Sequence, residues 1–178
     1  KWESESGKNL VVSMLKNKIS IPVDRLYLMN VCVSLSILNS LNQFNIPDLK
    51  VKWPNDILSG NFKIGGILIE NIISGSKINA SSLKTIMGHS FNLDSVFYAI
   101  ITNLHQELNR PILTFENELY KRYHSQLYKI GVKSNFIINK DEIIAGVIEG
   151  VTTNGKLKLK LENGSLQEFG LKEIQIQY

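Results

Sequence analysis

The first 130 residues combine strand-like and helix-like hydrophobic patterns. Residues 9–15 are almost continuously apolar, which predicts a mostly buried strand. Apolar residues then recur at helical spacing over residues 22–44, and this spacing predicts an amphipathic helix. Residues 94–109 and 115–128 carry the same period and predict two further helices, the first capped by Asp94.

Two short strands are predicted between the first and second helices. The stretch KVKW forms the first, a Ser-Gly-Asn turn follows, and KIGGILIENII forms the second. Pro54 ends the first strand because it has no backbone N–H for a ladder. We expect Val51 and Trp53 to anchor this strand in a core, with Lys52 on the opposite face at its end.

From Gly131 onwards the pattern changes to short alternating strands. Asn-Gly pairs at 154–155 and 163–164 favour tight hairpins, and KLKLKLE alternates strictly between apolar and polar residues. We therefore predict an α+β protein with two domains. Residues 1–130 form a mixed sheet flanked by helices, and residues 131–178 form a small antiparallel β-barrel of about five strands that packs on the first domain.

Composition narrows the class of protein only modestly. Hydrophobic residues make up 43% and charged residues 20% of the 178-residue chain, as in ordinary globular proteins. No apolar run approaches the roughly 20 residues that span a bilayer. A net charge of +4 is spread along the chain, so DNA binding is not indicated. Cys32 stands alone, and we expect it in the core of a cytoplasmic protein.

The stretch VKWPND and the glycines after it suggest a ligand site. A glycine pair within a strand lets a ligand approach the backbone, so Gly65 and Gly66 could floor an apolar slot walled by Ile67 and Leu68. Lys52 would place a fixed cation at the end of that slot. Structural explanations stay open: a solvated lysine, a β-bulge at the glycines and a simple turn after Pro54.

This stretch resembles a known family. KWPND followed by KIGGILIE looks like the central signature of biotin protein ligases. KWESESGKNLVVSML is similar to the strand after that family's glycine- and arginine-rich loop, and ASSLK resembles a segment after its ligand loop. The last 48 residues resemble the small SH3-like domain of the bacterial enzymes. The resemblance implies a first domain with the class II synthetase or biotin ligase-like fold.

The resemblance also implies an activity. The family converts biotin and MgATP to biotinyl-5′-AMP, releases pyrophosphate, and transfers biotin to a lysine of a biotin carboxyl carrier protein or domain. Lys52 matches the catalytic lysine. Trp2 matches an aromatic near the adenylate, and Asn55 matches a position near the phosphates. Asn55 and Asp56 both stay open between a site role and a structural one. The biotin slot corresponds to the residues Gly65, Gly66, Ile67 and Leu68.

The chain also departs from the family. The glycine-arginine loop would lie before Lys1, and a glycine-rich strand and loop would lie where only Ile78 separates Lys77 from Asn79. Either mobile ligand loops of the full protein are missing from these 178 residues, or the chain is a truncated, inactive relative. We favour the first; a protein without both loops should not be an efficient ligase. A repressor domain before Lys1 stays open.

Two other functions compete with the ligase. A lipoate ligase or octanoyl transferase shares the catalytic fold, although KWPND and the C-terminal barrel argue against it. A non-catalytic binding module would need an exposed aromatic or basic groove, and Phe136, Phe169 and Tyr178 offer few aromatic side chains for one. We expect no resident metal site, because Mg²⁺ arrives with the ATP phosphates. An exposed strand edge could serve the carrier or a homodimer.

Overall fold

The computed structural model describes residues 7–14, 21–69, 81–139 and 142–177. Four α-helices, two short 3₁₀-helices (Val23–Arg25 and Ile112–Phe115) and eight strands lie in these ranges. The helices are α1 Tyr27–Asn42, α2 Leu83–Met87, α3 Leu93–Leu108 and α4 Glu116–Ser125. The strands are β1 Leu49–Lys52, β2 Asp56–Ser59, β3 Phe62–Gly66, β4 Lys133–Ile138, β5 Glu142–Val151, β6 Leu157–Leu161, β7 Leu166–Phe169 and β8 Ile174–Ile176.

Helix α1 is the central element of the first domain. It packs against α3, α4 and β1, so most of its circumference is buried. Two of its serines bond to backbone carbonyls: Ser36 Oγ donates to the Cys32 carbonyl at 2.8 Å within the helix, and Ser40 Oγ donates to the Ala99 carbonyl of α3 at 3.0 Å. Small side chains let α3 approach closely. The helix prediction is confirmed. The predicted amphipathic pattern, with one buried face, underestimated how much of the α1 surface is buried by neighbouring elements.

Strands β1, β2 and β3 form an antiparallel sheet in that order. Gly60, with φ of +57°, makes the turn between β2 and β3, as predicted from the Ser-Gly-Asn sequence. The end of α4 closes the outer side of β1: Val51 N–H donates to the Gln126 carbonyl at 2.7 Å, and Tyr128 N–H to the Val51 carbonyl at 2.8 Å. This parallel bridge fixes β1 on both sides.

The second sheet lies wholly within residues 133–176. Its five strands are antiparallel, in the order β7-β6-β5-β4-β8, and they occupy the segments predicted from alternation. Gly155 and Gly164 take the positive φ expected of hairpin glycines, +87° and +82°. Pairing among the described residues leaves β7 and β8 as edges, so closure into a barrel is not found there.

Two element predictions need correction. Residues 9–14 form no strand, and Val11 and Val12 are 80% and 45% exposed, so this apolar run is not a buried strand in the structure. Apolar content alone was misleading, since no strand in the described part of the chain pairs with these residues. Helix α3 is capped by Asn92, whose side chain accepts from Ser95 N–H at 2.9 Å, and not by Asp94.

The inward positions predicted for Leu119 and Tyr123 of α4 are confirmed, since both side chains are buried.

The described helices include none that is long and apolar enough to cross a membrane.

A buried carboxylate ties α3 to α4. Glu107 accepts from Arg110 Nη1 and from Arg122 Nη1, each at 3.1 Å, while only 8% of the Glu107 residue is exposed. Glu118 completes the network at longer distances, 3.7 Å from Arg122 and 3.8 Å from Arg110. A carboxylate this deep is tolerated because two guanidinium groups satisfy both of its oxygens.

Removing Glu107 should therefore destabilise the fold. We expect Glu107→Ala to lower the free energy of unfolding by about 2 kcal/mol, because it leaves two partly buried arginines without their main partner. Glu118→Ala, at a side chain that is 50% exposed, should cost about 0.5 kcal/mol or less. Urea denaturation of both variants measures the difference. Equal losses in the two would contradict a central role for Glu107.

Candidate active site

Lys52, Asp56 and Gly66 lie in one row across the three-stranded sheet. Lys52 is opposite Asp56 in the β1–β2 register, and Asp56 is opposite Gly66 in the β2–β3 register. Directly opposed residues of antiparallel strands share a face, so these three share the face away from Val51 and Ile57, which belong to the main core. The structure thus brings the predicted catalytic lysine and one predicted slot glycine together.

Lys63 is a second cation at this site, and the sequence prediction missed it. Its Nζ lies 2.5 Å from Asp56 Oδ1, while Lys52 Nζ lies 3.6 Å from Asp56 Oδ2. The β2–β3 register skips Ile64, so a β-bulge there sets Lys63 on the same face as Asp56. A β-bulge at the glycines was one of the structural explanations considered from the sequence. The structure shows that the bulge lies at Ile64, and this position directs Lys63 to the face of Asp56.

The charges of this cluster are largely withdrawn from solvent. Lys52 is 9% and Asp56 7% exposed. Burial lowers the pKa of Lys52, the Asp56 carboxylate raises it in opposition, and the Lys63 ammonium lowers it further. Among the described residues, one carboxylate lies between two ammonium groups on this face. Such a site favours an anionic ligand.

Asn55 fixes the segment that follows β3. Its Nδ2 donates to the Ile67 carbonyl at 2.7 Å, and Ile67 N–H donates to the Asn55 carbonyl at 2.8 Å. This reciprocal pair extends the contact between the turn after β1 and the chain after β3. Asn55 therefore has a clear structural task beside Lys52, whatever it contributes to a ligand.

The structure does not bring all of the remaining predicted site residues to the Lys52 cluster. Gly65 is opposite Ile57 and shares the core face, where a Cβ would meet Ile57 Cβ at 3.8 Å. Ile67 is buried, but Leu68 is 67% exposed and does not wall the cluster in this structure. Trp2 lies outside the described residues. Their roles toward a ligand stay predictions.

Other reactive groups in the described part of the chain do not join the cluster. Cys32 is fully buried, and burial raises the pKa of its thiol to about 12, which keeps it protonated and fits the predicted core role. No group of three His, Cys, Asp or Glu side chains in the described ranges could hold a metal ion. Asp56 already bonds two lysines, so it does not fit the role of a metal ligand.

Comparisons with known proteins find similarity to biotin and lipoate protein ligases. Residues 1–86 match the model of the Biotin/lipoate A/B protein ligase family. The chain is 27% identical to the Bifunctional ligase/repressor BirA of Escherichia coli (strain K12) over 202 aligned positions. These cover 99% of this chain but 61% of the length of that relative. The alignment is longer than this chain, so some residues of the relative have no counterpart here.

Solved structures support the fold. The biotin protein ligase from Aquifex aeolicus matches with a TM-score of 0.69 at 18% identity, covering 87% of this chain and 76% of that one. The structure of that enzyme in complex with biotin and ATP matches with a TM-score of 0.64 at 19% identity, covering 86% and 72%. At such low identity the likeness establishes a shared α+β fold, with helices and antiparallel sheets.

The charge cluster makes opposite pKa predictions for two variants. Asp56→Asn should lower the pKa of Lys52, because it removes the carboxylate that favours the ammonium form, and Lys63→Met should raise it, because it removes a like charge. Titration of the ¹³Cε resonance of Lys52 by NMR would measure both. A shift in the same direction in the two variants would contradict the arrangement described above.

Proposed function

We propose that the chain is the catalytic part of a biotin protein ligase and a member of the biotin/lipoate A/B protein ligase family. The observation that carries this proposal is the buried Lys52 at the end of β1, in one row with Asp56 and Gly66, and with a second cation, Lys63, on the same carboxylate. The family match over residues 1–86 and the similarity to BirA support it. The five-stranded sheet would be the counterpart of the family's SH3-like domain.

The first chemical step would join two anions. A carboxylate oxygen of biotin attacks the α-phosphorus of ATP, a new acyl–phosphate bond forms, and the bond to the pyrophosphate oxygen breaks. Negative charge accumulates on the phosphoryl oxygens in the transition state. A preorganised ammonium group at Lys52 lowers the free energy of that state, and its burial in a water-poor site strengthens the effect.

Asp56 and Lys63 would prepare Lys52 for this step. Without a ligand, Asp56 compensates both ammonium groups and holds them on one face. An incoming carboxylate or phosphate would take over part of that compensation, since its oxygens can accept hydrogen bonds from the same ammonium groups. Lys63 is thus a second candidate for contact with the mixed anhydride. Mg²⁺ would enter with the phosphates of ATP as part of the substrate.

The second step needs no covalent nucleophile from the enzyme. The amine of an acceptor lysine attacks the acyl carbon of biotinyl-5′-AMP, and AMP leaves with the bonding electrons. The acceptor would be a lysine of a biotin carboxyl carrier protein or domain. This fits a site built from cations and backbone rather than from a nucleophile and a base.

The family description also names lipoate ligases, and ligand binding separates the two activities. Calorimetric titration of the intact gene product with biotin and with lipoate tests the choice. Tight binding of biotin with no binding of lipoate supports the proposal. The reverse result would assign a lipoate ligase, and binding of biotin without ATP turnover would assign a non-catalytic relative.

Removing the Lys52 ammonium group should strongly slow adenylation. We expect Lys52→Ala to slow biotin-dependent ATP–pyrophosphate exchange by about 10²-fold or more, as does the loss of a transition-state donor elsewhere. Lys50→Ala, two residues earlier on β1, serves as the matched control and should stay near the wild-type rate. Wild-type turnover in Lys52→Ala would exclude the proposed role.

Filling the space at Gly66 should weaken biotin binding. Gly66→Val adds a branched side chain opposite Asp56, where the proposed slot meets the charged cluster. We expect the Kd for biotin to rise by about tenfold or more, since a bound ring system cannot share that space. Unchanged affinity by calorimetry would remove Gly66 from the site. Gly60→Ala, at the β2–β3 turn away from the row, is the control.

A further inference from the structure

The hairpin turn between β5 and β6, residues 152–156, contacts the first domain directly after Lys52. Trp53 Nε1 donates to the Gly155 carbonyl at 2.9 Å, and Tyr120 OH donates to the Thr153 carbonyl at 3.0 Å. Both acceptors are backbone groups of the turn. These bonds therefore fix the path of the turn itself, independently of its side chains.

Gly155 also packs against the first domain. A Cβ at this glycine would lie 2.4 Å from Cδ2 and 2.7 Å from Cγ of the Tyr27 ring, well inside van der Waals contact. The Tyr27 hydroxyl is 2.8 Å from that of Tyr123 and donates to the Pro54 carbonyl at 3.4 Å. The turn thus reaches Trp53 by a direct hydrogen bond and Pro54 through one intervening ring.

A third contact joins the end of β5, where the hairpin begins, to α4. Val151 N–H donates to His124 Nε2 at 3.0 Å, and Gly150, at φ of +143°, leaves room for that ring. A Cβ at Gly150 would lie 3.0 Å from His124 Cε1. Several bonds of ordinary length, all between a side chain of the first domain and backbone of the second sheet, hold the hairpin in one place.

Lys52 lies directly before the residues that make this contact. It is the last residue of β1, so sheet pairing holds it from the N-terminal side and the turn of residues 53–55 from the other. Asn55 in that turn is held by Ile67, while Trp53 and Pro54 are held through the hairpin. A displacement of about 1 Å in a positioned catalytic group can cost about 10²-fold in rate.

We propose that the β5–β6 hairpin is the positioning element of Lys52, with the Trp53–Gly155 hydrogen bond as its link. Trp53 and Gly155 are then positioning residues, not catalytic ones, and the second sheet acts on the reaction by holding the turn after the lysine. The catalytic part of this inference rests on the proposed function. The mechanical part rests on the contacts alone.

Two glycines provide a matched test in the intact gene product. Gly155→Ala and Gly164→Ala place the same methyl group at nearly the same positive φ, but only Gly155 faces another part of the protein; a Cβ at Gly164 meets nothing within 4 Å. We expect Gly155→Ala to lower the kcat of biotin-dependent pyrophosphate exchange by about tenfold or more. KM values should stay within about threefold, and Gly164→Ala should keep the wild-type kcat.

Trp53→Phe is the second variant, and it removes the N–H donor while keeping an aromatic ring. It should show the same split, a lower kcat with little change in KM, at an unfolding temperature near that of Gly164→Ala. A rise in KM with unchanged kcat in Gly155→Ala and Trp53→Phe would overturn the positioning role, since it would indicate that only ground-state binding depends on the hairpin.

A measurement without turnover separates this inference from the proposed function. The sequence has two tryptophans, so the indole N–H region of an NMR spectrum holds two signals, and Trp53→Phe assigns one. In Gly155→Ala this signal should shift and exchange with solvent about tenfold faster or more, and in Gly164→Ala it should not.

The outcomes are distinct. A perturbed indole signal with reduced kcat in Gly155→Ala supports the inference. A perturbed signal with wild-type kcat overturns the positioning role, and an unperturbed signal overturns the link itself. Absence of exchange in the wild-type protein would overturn the proposed function and the catalytic role of the hairpin together, while the indole comparison would still decide whether the hairpin holds Trp53.

Discussion

A buried lysine must be compensated and held, and this requirement organises the first domain. Lys52 is nearly excluded from solvent, so its ammonium group needs a charge partner within the fold, and Asp56 on the neighbouring strand supplies it. The partner can reach Lys52 only if β1 and β2 pair in the observed register. Lys63 joins the same carboxylate through the bulge in β3. The strand register and the charge compensation of Lys52 therefore depend on each other.

The rest of the domain supplies the rigidity that this constraint needs. Val51, one residue before the lysine, is fully buried, lies opposite Ile57 of β2 and hydrogen-bonds to Gln126 and Tyr128 at the end of α4. The Glu107 network locks α4 against α3, and α3 packs on α1. From the other side, the second sheet holds the residues that follow Lys52. A cation fixed in this way costs little reorganisation when negative charge develops beside it.

Much of the fold could be predicted from the sequence because its signals are local. Alternation in KLKLKLE, the Asn-Gly pairs and the helical period of residues 115–128 each report on a few consecutive residues, and the structure follows them. Prediction failed where an apolar run lacked a partner, as at Val11 and Val12, and where a helix is covered on several sides, as α1 is. Both depend on contacts distant in sequence.

The sequence by itself determined that a lysine ends the strand before Pro54, that two glycines follow on a nearby strand, and that this order resembles biotin protein ligases. Only the tertiary structure decided that Lys63 shares the carboxylate of Asp56, that Leu68 is exposed while Ile67 is buried, and that Trp53 bonds Gly155 over 100 residues away. The reason is physical. The sequence gives the chemical type of each residue directly, whereas strand register, bulges and packing partners are determined only when segments distant in sequence pack together.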